Sequence, residues 1–443
     1  MLKGPEVVSP QPGLRAQEIV NLHHQVIMPT TMVPYPLVGV EAQGALVKDI
    51  DENVYIDFSS AVAVVNVGHN HPEIVKAVKG QAEKLIHFAG NDYYNVLQVQ
   101  LAKELISITP GEFDKKVFFS NSGAESVECA FKLARWHVRK PGMVSFIGAF
   151  HGRTFGALSL SACKSLQRKF FFPMVPSVVH VPYAYCYRCS FRLEYPDCDV
   201  WCASYVEDVT LQSHPREDIA GLIVEPIQGE AGYIVPPKEF LSKLEKICNK
   251  NDLLFIVDEI QTGFGRTGKT FACEHYGVQP DIICLSKALA AGLPMGATVA
   301  RSEIANWYEG AHSNTFGGNL LASAASLANI EVIRKEKLCE KASILGEHTL
   351  KRLDEIREES RIVGDTRGKG LMIGVEFVKD KKTKDEAIEE TDRIAIEAFK
   401  RGLILLPVGY NCVRIAPPLN ISRELLDQGL DILFDAIKKV ERG

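Results

Sequence analysis

The sequence lacks the features that would carry a chain into or across a membrane. No apolar run reaches the roughly 18 residues that a membrane-spanning helix needs. The amino terminus has no basic segment followed by an apolar stretch, which a secretory signal would require. We therefore expect a cytoplasmic protein with no membrane partner.

An excess of positive charge is also absent. The 50 lysine and arginine residues are outnumbered by 55 acidic residues, which gives a formal net charge of −5. Nucleic acids and anionic membranes attract basic surfaces, so this balance predicts neither of them as a partner. The lysine-rich stretch at residues 379–384 is expected to be a solvated loop.

The chain has no internal repeat, and its composition is that of an ordinary globular protein. Hydrophobic residues make up 46% of the sequence and charged residues 24%, both typical values. A chain of 443 residues is long enough for a large core and for more than one domain. Residues 1–37 contain several prolines and little periodicity, which predicts an extended arm.

Short apolar runs alternate with longer amphipathic segments between about residues 100 and 300. Buried parallel strands have this pattern because helices cover both faces of their sheet. The sequence therefore predicts an α/β fold with a mostly parallel central sheet. The runs are residues 117–119, 144–147, 178–181, 219–224, 253–257 and 281–285.

The two ends of the chain have a different pattern, which predicts a smaller α+β domain. Residues 45–58 read as a β-hairpin around a polar turn at 49–53. Beyond about residue 325 the sequence is helical and charged, and a helix from about 390 to 401 is predicted to end at Gly402. Further strands are predicted at residues 375–377, 403–406 and 413–415.

Polar residues follow several predicted strands at the point where each strand ends. In α/β sheets the ligand-binding crevice lies beyond the carboxyl ends of the strands. Ser120, Glu225, Asp258 and Lys287 all occupy such positions. A lysine can bind an aldehyde cofactor as a Schiff base, while an acid keeps the ring nitrogen of that cofactor protonated. Asp258 and Lys287 therefore indicate pyridoxal 5'-phosphate chemistry.

Two nearby segments are compatible with the same cofactor. Small residues in Ser120–Ser126, before a helical pattern, leave backbone N–H groups for a phosphate, although simple helix capping is an alternative. Phe150 can stack on a pyridine ring, and Arg153 can bind a carboxylate with two hydrogen bonds. His151, taken alone, would be a hydrogen-bonded core histidine.

Six motifs stand in a fixed order along the chain. They are Ser122-Gly-Ala, Phe150-His-Gly-Arg-Thr, Glu225-Pro-Ile-Gln-Gly-Glu, Asp258-Glu-Ile-Gln-Thr-Gly-Phe-Gly-Arg-Thr-Gly, Ser286-Lys and Thr315-Phe-Gly-Gly-Asn. The long block at residues 258–268 is highly specific. In this order the motifs resemble those of class III aminotransferases, in particular the 4-aminobutyrate and ornithine aminotransferase group, from about residue 40 to 420.

The resemblance implies an architecture and an assembly. The fold would be pyridoxal phosphate fold type I, with a large cofactor-binding domain at residues 66–330. Residues 1–65 would form an arm and part of the small domain, which residues 331–443 complete. The resemblance also implies an obligate homodimer with shared active sites.

The resemblance further implies how the cofactor is held. Lys287 resembles the Schiff-base lysine that also serves as general base, and Asp258 resembles the acid that pairs with the pyridinium nitrogen. Gln261 would reach the phenolic oxygen of the cofactor. Thr315 resembles the threonine that reaches the phosphate from the neighbouring subunit. The other residues implied in the cofactor site are Ser122, Gly123, Ala124, Phe150, His151 and Glu225.

A second group of residues is implied in substrate binding. Arg153 resembles the arginine that holds the carboxylate of a 4-amino acid, and Arg414 the arginine for the α-carboxylate of 2-oxoglutarate. Glu230 resembles a gate that neutralises Arg414 for substrates without an α-carboxylate and swings away for the dicarboxylate. Val62 and Asp92 are also predicted to contact the substrate. For Asp92, a loop acid bonded to its own backbone is the alternative.

These resemblances predict an aminotransferase that moves the ω-amino group of 4-aminobutyrate, ornithine or a related amino acid to 2-oxoglutarate. The mechanism would be ping-pong. Some class III relatives are racemases or epimerases and tend to carry aspartate at the position of Glu230, so glutamate favours transamination here. A non-catalytic cofactor-binding protein is a third alternative, disfavoured because Lys287 and Asp258 are both present.

Four of the eleven cysteines form a cluster. Cys186, Cys189, Cys198 and Cys202 stand in two closely spaced pairs, which are compatible with zinc ligands, with disulfides or with free thiols. No motif of the family lies in this segment. We therefore predict a structural role for the cluster and no metal in the active site.

Overall fold

The computed structural model describes residues 2–30 and 32–442 and divides the chain into two compact units. One unit combines the residues through Pro72 with those from Glu340 onward, and the other unit is Glu73–Cys339. The domain bounds inferred from the sequence, with limits at residues 65 and 330, stay a prediction.

The structure has helices and strands in both units. Among the described residues, no helix combines the length and apolarity needed to cross a membrane. The strands are β1 (Gly39–Gln43), β2 (Leu46–Asp49), β3 (Val54–Asp57), β4 (Lys115–Ser120), β5 (Gly142–Phe146), β6 (Val178–Val181), β7 (Ile219–Val224), β8 (Leu254–Asp258), β9 (Ile282–Leu285), β10 (Gly296–Arg301), β11 (Val363–Lys369), β12 (Met372–Phe377), β13 (Leu403–Ile404), β14 (Leu406–Val408) and β15 (Cys412–Ile415). The helices are α1 (Leu14–Val26), α2 (Ser60–Ala63), α3 (Pro72–Ala82), α4 (Val96–Ile108), α5 (Gly123–Val138), α6 (Phe155–Leu160), α7 (Trp201–Tyr205), α8 (Leu211–Ser213), α9 (Phe240–Lys250), α10 (Leu320–Lys335), α11 (Leu338–Glu359), α12 (Ile388–Lys400) and α13 (Arg423–Glu441).

A seven-stranded sheet organises the unit Glu73–Cys339, in the order β4-β10-β9-β8-β7-β5-β6. Strands β9, β8, β7, β5 and β6 run parallel, and β10 pairs antiparallel with both β9 and β4. Each of the six apolar runs identified in the sequence coincides with a strand of this sheet to within two residues at its ends, so the α/β prediction is confirmed. Strand β10 was missed because its Gly-Ala-Thr-Val-Ala-Arg sequence has mostly small side chains.

The core of this unit lies between the sheet and helix α5. Buried Val127, Phe131 and Ala134 of the helix belong to one hydrophobic cluster with Ile223 of β7 and Ile256 of β8. Burying such a side chain contributes about 1.5–3 kcal/mol, so the cluster fixes the sheet against the helix. The carboxyl ends of the strands, and the residues that follow them, are therefore held on a rigid support.

The other unit contains two four-stranded sheets, β1-β2-β3-β13 and β11-β12-β15-β14. The predicted hairpin is confirmed by the antiparallel pairing of β2 with β3, and β13 then pairs parallel with β3. The predicted strand at residues 403–406 is interrupted at Leu405. There the backbone N–H of Leu405 donates to the hydroxyl oxygen of Tyr35, 3.0 Å away, instead of to a neighbouring strand.

The prediction of an extended arm at residues 1–37 was wrong in part, because helix α1 lies within it. Its first turn is capped by a distant side chain. The carboxylate of Asp51 accepts the backbone N–H groups of Arg15 and Ala16, at 3.1 and 2.9 Å. Because α1 buries Ala16 alone, the sequence carries no amphipathic pattern that would have revealed it.

Candidate active site

A cavity of about 270 Å³ lies in the unit Glu73–Cys339, among residues that follow strand ends. Strand β7 ends just before Glu225, β8 ends at Asp258, and β9 ends two residues before Lys287. The structure thus brings together motifs that are far apart in sequence. The lining residues are Gly123, Ala124, Phe150, His151, Gly152, Arg153, Glu225, Asp258, Ile260, Gln261, Ser286 and Lys287.

Asp258 and His151 form a buried pair in this cavity. The Nδ1 atom of His151 lies 2.7 Å from Oδ2 of Asp258, and both side chains are almost fully buried. Oδ1 of Asp258 accepts the backbone N–H of Ile260 at 3.0 Å. Within the part of the chain that the structure describes, the buried Nε2 of His151 has no hydrogen-bond partner. An N–H donated from Nδ1 of His151 to Oδ2 holds the Asp258 carboxylate in place.

The amino terminus of helix α5 forms another wall. Ser122 is the N-cap residue, and its hydroxyl accepts the Glu125 N–H at 3.2 Å, so its side chain caps the helix and does not line the cavity. The amides of Gly123 and Ala124 belong to the first turn, where an α-helix provides no acceptor of its own. This turn is therefore suited to an anion such as a phosphate.

The carboxyl group of Glu225 connects two loops of the site. Its oxygens accept the backbone N–H groups of Phe150 and Gly229, each at 2.9 Å. Burial raises the pKa of Glu225 to about 7, with His151 opposing the rise and Asp258 adding to it. Glu225 therefore positions the backbone of Phe150.

Gln261 is held by a residue that the sequence analysis missed. The hydroxyl of Tyr233 donates to Oε1 of Gln261 at 3.0 Å, which leaves the amide N–H₂ group as a donor for a ligand. A side chain at Gly229 would collide with that amide. Tyr233 stands outside any strand-end pattern, so no signal in the sequence identified it.

Lys287 begins a short 3₁₀ turn directly after β9. Its φ of 44° lies in the left-handed region, which costs a non-glycine residue roughly 1–3 kcal/mol. The hydroxyl of the preceding Ser286 donates to the carbonyl of Met295 at 2.7 Å and fixes the turn. The surrounding structure thus imposes a strained backbone at the lysine that lines the cavity.

Arg153 and Glu230 both lie in the same unit as the cavity. Arg153 is exposed and lines the cavity, with its guanidinium carbon 5.5 Å from the centre of the Phe150 ring. Glu230 is not among the lining residues. Its Oε1 lies 3.7 Å from Nζ of Lys164, a residue that the sequence analysis also missed.

The remaining predicted site residues do not line this cavity. Thr315 and Asp92 are exposed on the unit Glu73–Cys339, and the Asp92 N–H donates to the carbonyl of Ala89 at 3.1 Å. Arg414 and Val62 belong to the other unit: Arg414 in β15 and Val62 in α2. Residues 60–63 all have positive φ angles, so α2 is a left-handed turn. The pairing of Arg414 with Glu230 stays a prediction.

The four clustered cysteines do not line the active-site cavity. They line a second, much smaller cavity of about 20 Å³, and all four are free thiols. Burial, together with neighbouring thiols, raises the pKa of Cys202 to about 12, so this thiol is protonated at neutral pH. Across residues 2–30 and 32–442, no group of three or more histidine, cysteine or acidic side chains is arranged to hold a metal ion. The cluster is Cys186, Cys189, Cys198 and Cys202.

The residues around the larger cavity fit pyridoxal 5'-phosphate. The first turn of α5 suits its phosphate, Asp258 suits its ring nitrogen, and the amine of Lys287 suits its aldehyde. The backbone also allows a close approach. Gly152 has a φ of 136°, and a Cβ atom there would lie 2.7 Å from Cβ of Ala124.

Comparison with known proteins assigns the family. The description "Aminotransferase class-III" matches residues 27–437. The chain is 41% identical to a leucine/methionine racemase of Thermococcus litoralis over 97% of both proteins. It is 42% identical to an acetylornithine aminotransferase of Methanopyrus kandleri, over 96% of this chain and 99% of that protein. It is 38% identical to a 4-aminobutyrate aminotransferase of Mycobacterium leprae over 97% of both.

A solved structure agrees with these sequence relatives. An aminotransferase of Bacillus anthracis has a TM-score of 0.89 and 32% identity, covering 96% of this chain and 99% of its own. The family match spans the motifs around Lys287, Asp258 and Gly123, which line one cavity. The chain therefore belongs to the class III aminotransferases and is a pyridoxal 5'-phosphate-dependent enzyme.

Proposed function

We propose that this enzyme transfers the ω-amino group of 4-aminobutyrate, ornithine or a related amino acid to 2-oxoglutarate. The observation that supports the proposal most is the position of Arg153, which lines the same cavity as Lys287 and Asp258. A guanidinium binds a carboxylate with two hydrogen bonds. It would hold the far end of an amino acid whose amino group is directed to the lysine.

The role proposed for each residue of the cavity follows from the chemistry of its side chain. When bound, pyridoxal phosphate withdraws electrons from the carbon that carries the amino nitrogen. In our proposal Nζ of Lys287 would accept the proton of the substrate carbon as general base and would then donate it as general acid. Asp258, held by His151, would keep the ring nitrogen of the cofactor protonated. The amide of Gln261, held by Tyr233, would donate to the phenolic oxygen of the cofactor. Glu225 fixes the backbone of Phe150, whose ring would stack on the pyridine.

Two arginines are assigned to the carboxylates of two substrates that bind one after the other. We assign the carboxylate of the ω-amino donor to Arg153 and the α-carboxylate of 2-oxoglutarate to Arg414. Glu230 acts as the gate between these uses. A buried charge without a partner is costly, so the position of one carboxylate can select between a substrate with an α-carboxylate and a substrate without one.

The active assembly in this proposal is a homodimer. Thr315 is assigned to the phosphate of the partner's site, which agrees with its exposed position away from the cavity. The neighbouring Phe316 leaves 60% of its surface exposed, and Tyr93 and Tyr94 are exposed as well. Exposed apolar groups of this kind are typical of an interface.

Racemisation is the second candidate, and the relative named leucine/methionine racemase supports it. A racemase would use the same cofactor and the same lysine. The two reactions differ in the destination of the proton: transamination places it on the cofactor carbon, whereas racemisation returns it to the substrate carbon. Glu230 favours transamination, because the racemases of this family tend to carry aspartate at that position.

The two candidates are separated by giving the enzyme one amino acid and no keto acid. With 4-aminobutyrate alone, we expect one equivalent of succinic semialdehyde per active site. Added 2-oxoglutarate should then yield glutamate over many turnovers. L-Leucine and L-methionine should remain L-enantiomers in chiral chromatography. Continued formation of D-leucine without keto acid, and no semialdehyde from 4-aminobutyrate, would overturn the proposal.

The donor is identified with a panel that contains 4-aminobutyrate, L-ornithine and L-lysine, each with 2-oxoglutarate. We expect the largest kcat/KM for a donor whose carboxylate can reach Arg153 while its ω-amino group reaches Lys287. The Lys287→Ala variant is the control, because the proton transfer assigned to Nζ is lost in it. Glutamate formation by this variant at the wild-type rate would contradict the role of Lys287.

A further inference from the structure

Lys164, which lies outside the six motifs, forms an ion pair with Glu230, the last residue of the third motif. Nζ of Lys164 lies 3.7 Å from Oε1 of Glu230, and the two side chains are 16% and 24% exposed. Lys164 follows helix α6, and Glu230 lies in the segment after β7. Both belong to the unit that contains the cofactor cavity. The carboxylate assigned as the gate therefore has a cationic neighbour in its own unit.

The surroundings of Cys163 show that charges of both signs converge here. Burial is the main cause that raises the pKa of the Cys163 thiol to about 12, and the acids Glu230 and Glu225 contribute to this rise. The cations Lys164 and Arg153 act in the opposite direction on the same thiol. Two acids and two cations thus share one half-buried neighbourhood. Removal of Lys164 would leave this neighbourhood with an excess of negative charge.

The geometry of the pair suits a carboxylate that has to move. A separation of 3.7 Å exceeds normal hydrogen-bond distance, so attraction between these two atoms is mainly Coulombic and tolerates small displacements. At the same time both groups are sheltered from water, which makes the loss of a charged partner costly. A mobile gate needs a cation in each position that it occupies, and Lys164 supplies one.

We propose that Lys164 is a positioning residue for the gate: it holds Glu230 in the position that admits the α-carboxylate of 2-oxoglutarate. This inference rests on the proposed function. Lys164 acts through Glu230 and is assigned no contact with substrate. It therefore determines how well the dicarboxylate binds and leaves the binding of 4-aminobutyrate, which has no α-carboxylate, unchanged.

The test compares two variants at Lys164 in the holoenzyme. Lys164→Met keeps the length of the side chain and removes its charge, whereas Lys164→Arg keeps the charge. The matched control is Lys238→Met, because Lys238 lies 3.6 Å from Glu239 in a pair that is largely exposed. The two half-reactions are measured separately: release of succinic semialdehyde from 4-aminobutyrate, and formation of glutamate when 2-oxoglutarate is added to the amine-loaded enzyme. Competition by glutarate, a dicarboxylate without a carbonyl group, measures binding without turnover.

We expect Lys164→Met to raise the KM for 2-oxoglutarate and the inhibition constant of glutarate about fivefold, the upper end of what one partly exposed ion pair contributes. The kcat of that half-reaction and the KM for 4-aminobutyrate should change less than about twofold. Lys164→Arg should restore both constants, and Lys238→Met should match the wild type.

Two kinds of failure can be distinguished. If the wild type carries out both half-reactions but Lys164→Met alters them equally or not at all, the role of Lys164 is wrong and the proposed function stands. If Lys164→Met slows both half-reactions equally and also lowers the melting temperature, Lys164 has a structural role only. If the wild type fails to use 2-oxoglutarate, both the proposed function and the role of Lys164 are wrong.

Discussion

At the scale of single residues, the unusual feature of the site is a buried acid beside another acid. The Glu225 carboxyl group accepts two backbone N–H groups, from Phe150 and Gly229, which favours its charged form. Burial and the nearby Asp258 favour the neutral form, and the balance raises the pKa of Glu225 to about 7. The group is therefore partly protonated at neutral pH, and its ionisation contributes to the pH dependence of stability.

The direction of that dependence follows from linkage. A carboxyl group whose pKa is higher in the folded than in the unfolded protein binds more protons when folded, so stability decreases as pH rises. For Glu225 the decrease falls between its unfolded pKa near 4.5 and about 7, and its slope approaches about 1 kcal/mol per pH unit. We expect Glu225→Gln to flatten this part of the stability curve, measured by urea unfolding of enzyme freed of pyridoxal phosphate.

The exposed Glu217 provides the control for this measurement, because Glu217→Gln should leave the slope between these pH values unchanged. The Glu225→Gln variant will also be less stable at every pH, because its amide places N–H groups against one of the two backbone donors. The slope, and not the absolute stability, is therefore the informative quantity. A wild-type slope identical to that of Glu225→Gln would contradict the raised pKa.

At the scale of elements, the phosphate site depends on how closely a loop approaches helix α5. Gly152 has a φ of 136°, and a side chain there would meet Ala124 of the first helical turn. We expect Gly152→Ala to push this turn away and weaken pyridoxal phosphate binding about tenfold or more, at a stability cost of about 1–3 kcal/mol. Fluorescence titration of the cofactor and thermal unfolding measure the two effects.

A substitution at a second glycine distinguishes the effect of steric collision from the effect of backbone strain. Gly277 also has a positive φ, 64°, but a Cβ atom there would meet nothing within 4 Å. Gly277→Ala should therefore lower the melting temperature modestly and leave cofactor affinity unchanged. If both substitutions weaken cofactor binding equally, the loss reflects general destabilisation, and the close approach at Gly152 is not the cause.

The sequence was most informative for elements whose side chains are buried on a regular period. Apolar runs located the parallel strands, and the residues after them, Asp258 and Lys287, line one cavity in the structure. Strand β10 has mostly small side chains and helix α1 buries only Ala16, so neither left a pattern in the sequence. Pairing and capping by distant segments fix their positions instead. Lys164 and Tyr233 were missed for the same reason: each is placed by a tertiary contact that leaves no local pattern.

At the scale of the whole molecule, the proposed site requires two chains. Lys287 lines the cavity of its own chain, whereas Thr315 is exposed and absent from that cavity. If Thr315 serves the phosphate of the partner's site, one chain cannot assemble a complete site from its own residues. The enzymatic activity and the fraction of chains in dimers would then depend on protein concentration in the same way.

Mixing two impaired variants tests this sharing directly. Lys287→Ala removes the lysine of its own site, and Thr315→Ala removes the threonine given to the partner's site. A mixed dimer would combine the intact lysine of one chain with the intact threonine of the other in one of its two sites. Since half of randomly formed dimers are mixed, activity should recover to about a quarter of the wild-type value at limiting cofactor.

The control is a Lys287→Ala/Thr315→Ala double variant mixed with Thr315→Ala, in which neither site of the mixed dimer is intact. A different result is that the first mixture, after exchange of subunits, shows only the average activity of its two components. That result would mean that each chain supplies its own threonine.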